Sequence, residues 1–300
     1  MLNYDLDELR VLYEKGINLT DYLKKQNNLD SNSDEIIELV YDLQAGSYID
    51  FAKNNTDFMQ DYSDESAEII NKYLDSDSII LDIGSGECTT ISYISNKLHS
   101  FSHFFCFDIS MSRILKGNGF LNVHAKNSNK ITPFVANISE IPFKSSTIDI
   151  VISNHALEPN GKNLSNLLQE SIRVCSNYLI LFEPSYENNS KKGQQRMDRL
   201  GYIRGLEAES KKLGCEVVDI IKMRNVSNIL NPTYCYIFKV KKDLVRKNKN
   251  TQFTYPGTDF ILEDKADYLY SKKYGKVFFK LKKIPILRSD NSLLMTIEEI

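Results

Sequence analysis

Through the middle of the chain, short runs of apolar residues alternate with stretches whose apolar positions recur every three or four residues. The runs fall at 78–83, 104–107, 132–136, 148–153, 178–182, 216–221 and 234–240. Their length is that of strands, and most lack the in-out alternation of a sheet wetted on one face, so they predict strands buried on both sides. Helical patterns separate most of them, at 89–98, 110–116, 163–174 and 191–213. Strands joined by helices predict an α/β fold, with a mostly parallel sheet and right-handed crossovers. Only a turn with Asn231 and Pro232 divides the last two runs, which predicts an antiparallel hairpin at the sheet edge.

The first 75 residues read as helices broken by polar turns. The segment 34–45 places Ile36, Ile37, Leu39, Val40 and Leu43 largely on one helical face and stops at Gly46, a suitable cap. A second helix is expected at 63–74, with Ala67, Ile69, Ile70, Tyr73 and Leu74 turned toward the strands and helices of the middle of the chain. Beyond the sheet, KKDLVRKNKN (241–250) reads as a polar linker, with short strands and turns after it. The expected organisation is a helical cover over 1–75, a nucleotide-type sheet over 76–240, the linker 241–250 and a small β-rich domain over 251–300.

Composition narrows the class. With 42% hydrophobic and 26% charged residues, the chain is an ordinary globular one. No run approaches the roughly 18 apolar residues of a membrane span, and the acidic start MLNYDLDELR lacks a secretory pattern. A cytoplasmic protein without membrane attachment is expected. The cysteines Cys88, Cys106, Cys175, Cys215 and Cys235 are odd in number and far apart, which predicts reduced, buried thiols. His99 and His103 have no third ligand at an obvious spacing, so no metal site is expected there. The net charge of −3 hides an asymmetry: residues 1–77 carry 18 acidic against 6 basic side chains, and 241–283 carry 12 basic against 5 acidic. A solubilising acidic face and a basic linker account for it; so does a tail facing an anionic partner or the acidic cover.

The first central run leads straight into Gly84-Ser85-Gly86 and then a helix. Glycines there let backbone N–H groups approach a ligand at a helix start. Asp108 closes the second run 22 residues after Gly86, where an acid can accept both hydroxyls of a ribose. A dinucleotide site would want a third glycine near position 89, occupied here by Thr89. Asp82, just before the turn, would repel a pyrophosphate but could hold an ammonium. The charges favour S-adenosylmethionine.

The segments LDIGSGECT (81–89), FDIS (107–110), ANISEIPF (136–143) and DIVISNHALEP (149–159), in that order and spacing, resemble the class I S-adenosylmethionine-dependent methyltransferases over about residues 60–240. The resemblance implies a Rossmann-like seven-stranded sheet with its last strand antiparallel. It places Asp82, Gly84, Ser85 and Gly86 around the methionine part, Asp108 on the ribose and Ile109 beside the adenine. Asn137 and Ile138 would meet the adenine edge. Many family members have an acid where Asn137 stands, so its side-chain oxygen or the backbone is expected to read the amino group.

Ligands of open α/β sheets sit at the carboxyl ends of the strands. There the fourth run ends in Ser153-Asn154-His155-Ala156-Leu157-Glu158-Pro159, which puts Asn154 beside the methyl donor, and the fifth ends in Glu183-Pro184-Ser185-Tyr186. His155 has the reference pKa best matched to a general base, and packing against the cofactor or capping the loop is its other reading. Glu158 or Glu183 could orient His155 or bind an acceptor hydroxyl or amine. Proline does not come after Asn154, so the Asn-Pro-Pro-Tyr pattern of adenine and glutamine methylation is absent.

The tail resembles the zinc-ribbon activator subunit of tRNA and translation-factor methyltransferases, through Tyr255-Pro256-Gly257-Thr258, Ser271-Lys272-Lys273-Tyr274 and Lys283-Ile284-Pro285-Ile286-Leu287. Tyr255, Thr258, Ser271 and Tyr274 stand where that family has cysteines, so a metal-free, degenerate ribbon is expected. Tyr41 to Tyr48 resembles the cover segment of bacterial methyltransferases of surface-sugar biosynthesis. The expected function is methyl transfer to a small polar acceptor, such as a sugar or nucleotide-sugar. A tRNA or protein methyltransferase with a fused activator and a non-catalytic cofactor-binding regulator are the alternatives. Nucleic acid is disfavoured by the acidic cover but not excluded.

Overall fold

A computed structural model describes residues 2–240 and 251–297 of the protein. The expected linker 241–250 lies outside the described residues. Five helices open the chain: α1 (Leu6–Glu14), α2 (Leu19–Gln26), α3 (Asp34–Leu43), α4 (Ser47–Asn54) and α5 (Thr56–Ile70). The side chains of Asp5, Asn18 and Ser33 accept hydrogen bonds from first-turn N–H groups of α1, α2 and α3, satisfying donors that a helix start leaves unpaired. Leu9, Leu19, Leu23, Ile36 and Val40 bury one another, so the first three helices have a small core of their own.

The central elements come next as β1 (Ile79–Ile83), α6 (Thr89–Ser95), β2 (His103–Asp108), α7 (Met111–His124), β3 (Ile131–Ala136), β4 (Ile148–Asn154), α8 (Leu164–Val174), β5 (Cys175–Pro184), α9 (Lys191–Leu200), α10 (Leu206–Lys212), β6 (Glu216–Lys222) and β7 (Thr233–Lys239). All seven expected strands are present. They run β6-β7-β5-β4-β1-β2-β3, parallel except β7, which pairs antiparallel with both neighbours and leaves β6 at the edge. β1 shows why its sequence is apolar throughout. Ile79, Leu81 and Ile83 point into one core with Leu164 and Leu168 of α8, and Ile80 points into the other with Ile70, Ile91 and Ile114.

The helices depart more from expectation. The segment 191–213 is two helices, because Gly201 and Gly205 take left-handed backbone angles (φ 68° and 70°) that end one and start the next. The helix expected at 63–74 begins earlier, at Thr56, and that expected at 110–116 continues to His124.

In the tail, β8 (Glu263–Asp264), β9 (Tyr268–Ser271), β10 (Lys276–Leu281), β11 (Ile284–Leu287) and β12 (Leu293–Leu294) form antiparallel pairs. Strand β11 also lies parallel to β3, with Ile286 beside Val135 and Leu287 beside Ala136. The sheet therefore does not end at β3. The unpaired edge there is completed by the chain's own tail, which removes a site for edge-to-edge association. Phe253 enters the aromatic cluster under the sheet, its ring 5.1 Å from Phe134, 5.3 Å from Phe143 and 5.8 Å from Phe105. The positions compared with cysteines do converge: the Tyr255 and Tyr274 rings are 4.3 Å apart, Thr258 donates to the Tyr255 carbonyl, and the Tyr274 N–H donates to Ser271 Oγ.

Phe278 on β10 is fully buried and shares a core with β1 and β4. Phe278→Ala is expected to lower the free energy of unfolding by about 3 to 5 kcal/mol, the usual cost of truncating a buried phenylalanine. Urea denaturation of the full chain checks this; a loss below about 1 kcal/mol, within the range of surface substitutions, would show that the tail does not support the sheet.

Candidate active site

The turn after β1 sets the geometry. Gly84 and Gly86 have φ of 70° and 55°, and a Cβ on them would stand 2.4 Å from Ala156 Cβ and 2.3 Å from an Arg113 nitrogen. Both left-handed angles favour glycine, and a side chain at either would displace Ala156 or the Arg113 guanidinium. Cys88 also has a left-handed φ of 53°, a conformation costly for a residue other than glycine. The Ser85 N–H donates to the Phe107 carbonyl at 2.7 Å, tying the turn to β2.

Carboxyl groups crowd around this turn. Asp108 Oδ2 accepts from the Gly86 N–H and Oδ1 from the Ser110 N–H, both at 2.9 Å. Asp82 is buried, and its Oδ1 has no hydrogen-bond partner among the described residues. Burial pushes its carboxyl up to about 7, against the opposing pull of the nearby Ser85 and Asn154 side chains, with Asp108 and Glu183 adding repulsion. Glu87 is buried and accepts from the Ile49 N–H of α4 at 2.9 Å.

One buried cation faces them, and sequence reasoning missed it. Arg113 Nη1 lies 3.6 Å from Asp108 and Nε lies 3.9 Å from Glu87, and the guanidinium covers the rings of Tyr41 and Tyr48 at 5.0 and 4.7 Å. The signal was present: Ser110 caps α7, so a residue three positions later lies on the first turn, directed back at the glycines.

On the expected adenine side, Ile109, Asn137 and Ile138 line a cavity of about 120 Å³ together with Asp34 and Ile37 of α3. Asn137, expected to read the adenine through its side-chain oxygen or the backbone, has both side-chain polar atoms engaged within the protein. Its Oδ1 accepts from the Ser139 N–H at 3.0 Å, capping a short turn, and its Nδ2 donates to Asp34 Oδ2 at 2.6 Å. The carboxylate at this edge comes from the cover helix. Arg288, after β11, reaches the same region, at 2.5 Å from Glu38 of α3 and 3.4 Å from the Ile109 carbonyl.

A second cavity of about 440 Å³ adjoins the first. Tyr48, Thr89, Thr90, Asn154, His155 and Glu158 line both. His155 has φ 56°, held by its N–H donating to the Phe182 carbonyl at 2.9 Å. Its Nδ1 is 2.7 Å from Glu158 Oε2 and its Nε2 is 2.8 Å from Thr233 Oγ1. Burial works against the imidazolium, but the charge and hydrogen bond of Glu158 outweigh it, and His155 titrates above its ordinary range. Burial would raise Glu158, but His155 and the Asn231 and Tyr202 side chains bring it below the usual value.

Glu183, expected either to orient His155 or to bind an acceptor, stands away from both cavities. It is fully buried beneath the 153–157 loop and lines neither cavity. Its Oε1 accepts from the Ser153 hydroxyl and from the N–H groups of Ala156 and Leu157 at 2.7 to 3.1 Å. Burial pushes its carboxyl up to about 7, opposed by His155 and these donors. It clamps the loop that carries His155.

A Rossmann-like sheet in this strand order, with a glycine turn after β1 and an acid closing β2, is the fold of the class I methyltransferases. Residues 80–177, about a third of the chain, match the family model described as a methyltransferase domain, and together with the fold this supports a class I S-adenosylmethionine-dependent methyltransferase. Among solved structures, it is similar to magnesium protoporphyrin IX methyltransferase of Synechocystis PCC 6803 with bound S-adenosylhomocysteine (12% identity, 68% of this chain and 99% of that one, TM-score 0.51). It is also similar to the complex of the Haloferax volcanii Trm112 methyltransferase activator with a methyltransferase (12% identity, 67% and 98%, TM-score 0.52). These likenesses concern the fold. Comparison with curated proteins gives no match. No helix among the described residues is long and apolar enough to cross a membrane.

The side chains fit the cofactor: Asp82 Oδ1 and Asn154 Nδ2 are buried without partners beside a turn that favours glycine. An ammonium beside Asp82 favours its ionised form, so binding should release the proton held up to about pH 7. Calorimetry in two buffers of different ionisation enthalpy should show nearly one proton released at about pH 6 and almost none above about pH 8. Asp82→Asn should abolish the release and weaken binding. Wild-type binding with no buffer dependence at the lower pH would contradict this.

Proposed function

We propose that the protein methylates a hydroxyl of a small polar acceptor bound in the larger cavity, with His155 as general base. The observation that carries this is the position of His155 on the wall between the two cavities, with a buried carboxylate behind it. S-adenosylmethionine, when bound, supplies a methyl group on a sulfonium, so the acceptor needs a base only if it has a proton to lose. Glu158 accepts Nδ1–H, which fixes the ring and leaves Nε2 as the basic nitrogen. Thr233 donates to Nε2 in the resting site, and an acceptor hydroxyl takes its place. Glu183 is a positioning residue, acting through the loop.

For the cofactor, Asp82 and Asn154 take the ammonium and carboxylate of the methionine part, Asp108 the ribose, and Ile109 and Ile138 the faces of the adenine. Asp34 reads the adenine amino group in place of the acid absent at position 137. Support comes from its place in the cavity and its tether to Asn137. A second reading, a fused activator serving a tRNA or protein methyltransferase, is favoured by the pairing of β11 with β3 and by Arg288 on the adenine side. The acidic cover counts against RNA.

His155→Ala should lower turnover by about 10²-fold or more, the range for loss of a general base, with cofactor affinity nearly unchanged. Because Glu158 raises the His155 pKa, the deprotonated base accumulates only above its ordinary 6.5, and activity should rise with pH through neutrality. That limb should vanish in the variant. Full activity with an unchanged pH profile would remove His155 from the reaction. Asp34→Asn should weaken S-adenosylhomocysteine binding but not that of its inosine analogue, whose carbonyl oxygen in place of the amino group gains from losing the carboxylate; equal losses for both would refute the adenine role.

A further inference from the structure

The larger cavity has two unlike walls. One is apolar and aromatic, from Phe51 of α4 and Phe58, Met59 and Tyr62 of α5. The other is made of amides and hydroxyls from the β6–β7 connection, chiefly Asn228, Asn231 and Thr233. Its imidazole and its carboxyl, His155 and Glu158, face each other as a pair.

Asn231 is nine-tenths buried, and its Oδ1 has no partner among the described residues. Its orientation is fixed by chemistry. Nδ2 lies 3.0 Å from Glu158 Oε2, and an ionised carboxylate can only accept, so the nitrogen must face it and the oxygen must face away. A buried amide oxygen without a donor is costly, so a ligand supplying one is favoured there. Asn154 is oriented in the same manner: its Oδ1 accepts from the Tyr62 hydroxyl at 3.1 Å, which leaves Nδ2 as the unpartnered donor.

From these features we infer that the acceptor is an uncharged polyhydroxyl compound with one apolar face, a sugar or glycoside in neutral form, and not its phosphate or nucleotide conjugate. The inference rests on the methyltransferase reading above and deepens it. The ring's apolar face lies on the Phe51, Phe58 and Tyr62 side, one hydroxyl donates to Asn231 Oδ1, and a neighbouring hydroxyl is methylated. At that hydroxyl the oxygen forms the new O–C bond as the methyl–sulfur bond breaks. Its proton passes to His155 Nε2, and the electron pair stays on sulfur. With His155 neutral, as a base must be, a phosphate in the chamber would face the Glu158 carboxylate with no lysine or arginine among the lining residues to offset it, and would be repelled.

The test uses the full-length protein, radiolabelled S-adenosylmethionine, and a panel of free hexoses, deoxyhexoses and their methyl glycosides, each paired with its phosphate or nucleotide-diphosphate form. Binding of S-adenosylhomocysteine is measured alongside. Label is expected in at least one neutral acceptor, with kcat/KM at least tenfold above that of its phosphorylated counterpart. Asn231→Ala should raise KM for the neutral acceptor at least tenfold without changing S-adenosylhomocysteine affinity. If the variant also perturbs His155, the pH profile shifts; Phe58→Leu, which leaves that pair alone, should then raise KM with an unchanged profile. Transfer confined to phosphorylated members, or none to either set while the cofactor binds, overturns the inference and leaves the methyltransferase reading standing. Failure to bind the cofactor overturns the reading beneath it.

Discussion

Six carboxyl groups are buried among the described residues, and five of them, Asp82, Glu87, Asp108, Glu158 and Glu183, lie at one end of the sheet. Burying a carboxylate costs several kcal/mol unless it is paired or protonated, and this constraint explains most of what surrounds the site. Arg113 takes Asp108 and Glu87, His155 takes Glu158, and Asp82 and Glu183 are left to hold protons up to about pH 7. The aromatic rings of Tyr41 and Tyr48 then cover the guanidinium and keep water from it. A cofactor with an ammonium and a sulfonium brings positive charge to a place short of it.

The strands were legible because each is a short apolar run, and both cores fill from alternate positions of the same run, as β1 shows. Asp82, the two glycines and Asp108 were legible because a strand end, a turn and a second strand end fix their neighbourhood without knowledge of distant contacts. What stayed hidden depended on contacts between segments far apart in sequence. Asn137 looks like an adenine reader until α3 brings Asp34 to its amide. Glu183 looks catalytic because its strand ends beside that of His155, and only the backward turn of the 153–157 loop makes it a clamp. The division of 191–213 was visible in Gly201 and Gly205, but the helical pattern on either side overrode them.

The cover and the tail meet beside the cavity lined by Ile109 and Ile138, the side proposed above for the adenine, which gives them a shared consequence. Helix α3 supplies Asp34 and Glu38 there; Glu38 is held by Arg288, and Ser289 donates to Glu140 beside the short turn after Asn137. The two ends of the chain thus bear on each other through the rim of one cavity. Loosening either end would loosen the other and open that rim, whereas the glycine turn and the Glu183 clamp, built within the sheet, would keep their form. The glycine turn and the Glu183 clamp are therefore held from within the sheet, and the rim beside Ile109 by the two ends of the chain. This difference separates substitutions that act on turnover from those that act on cofactor affinity.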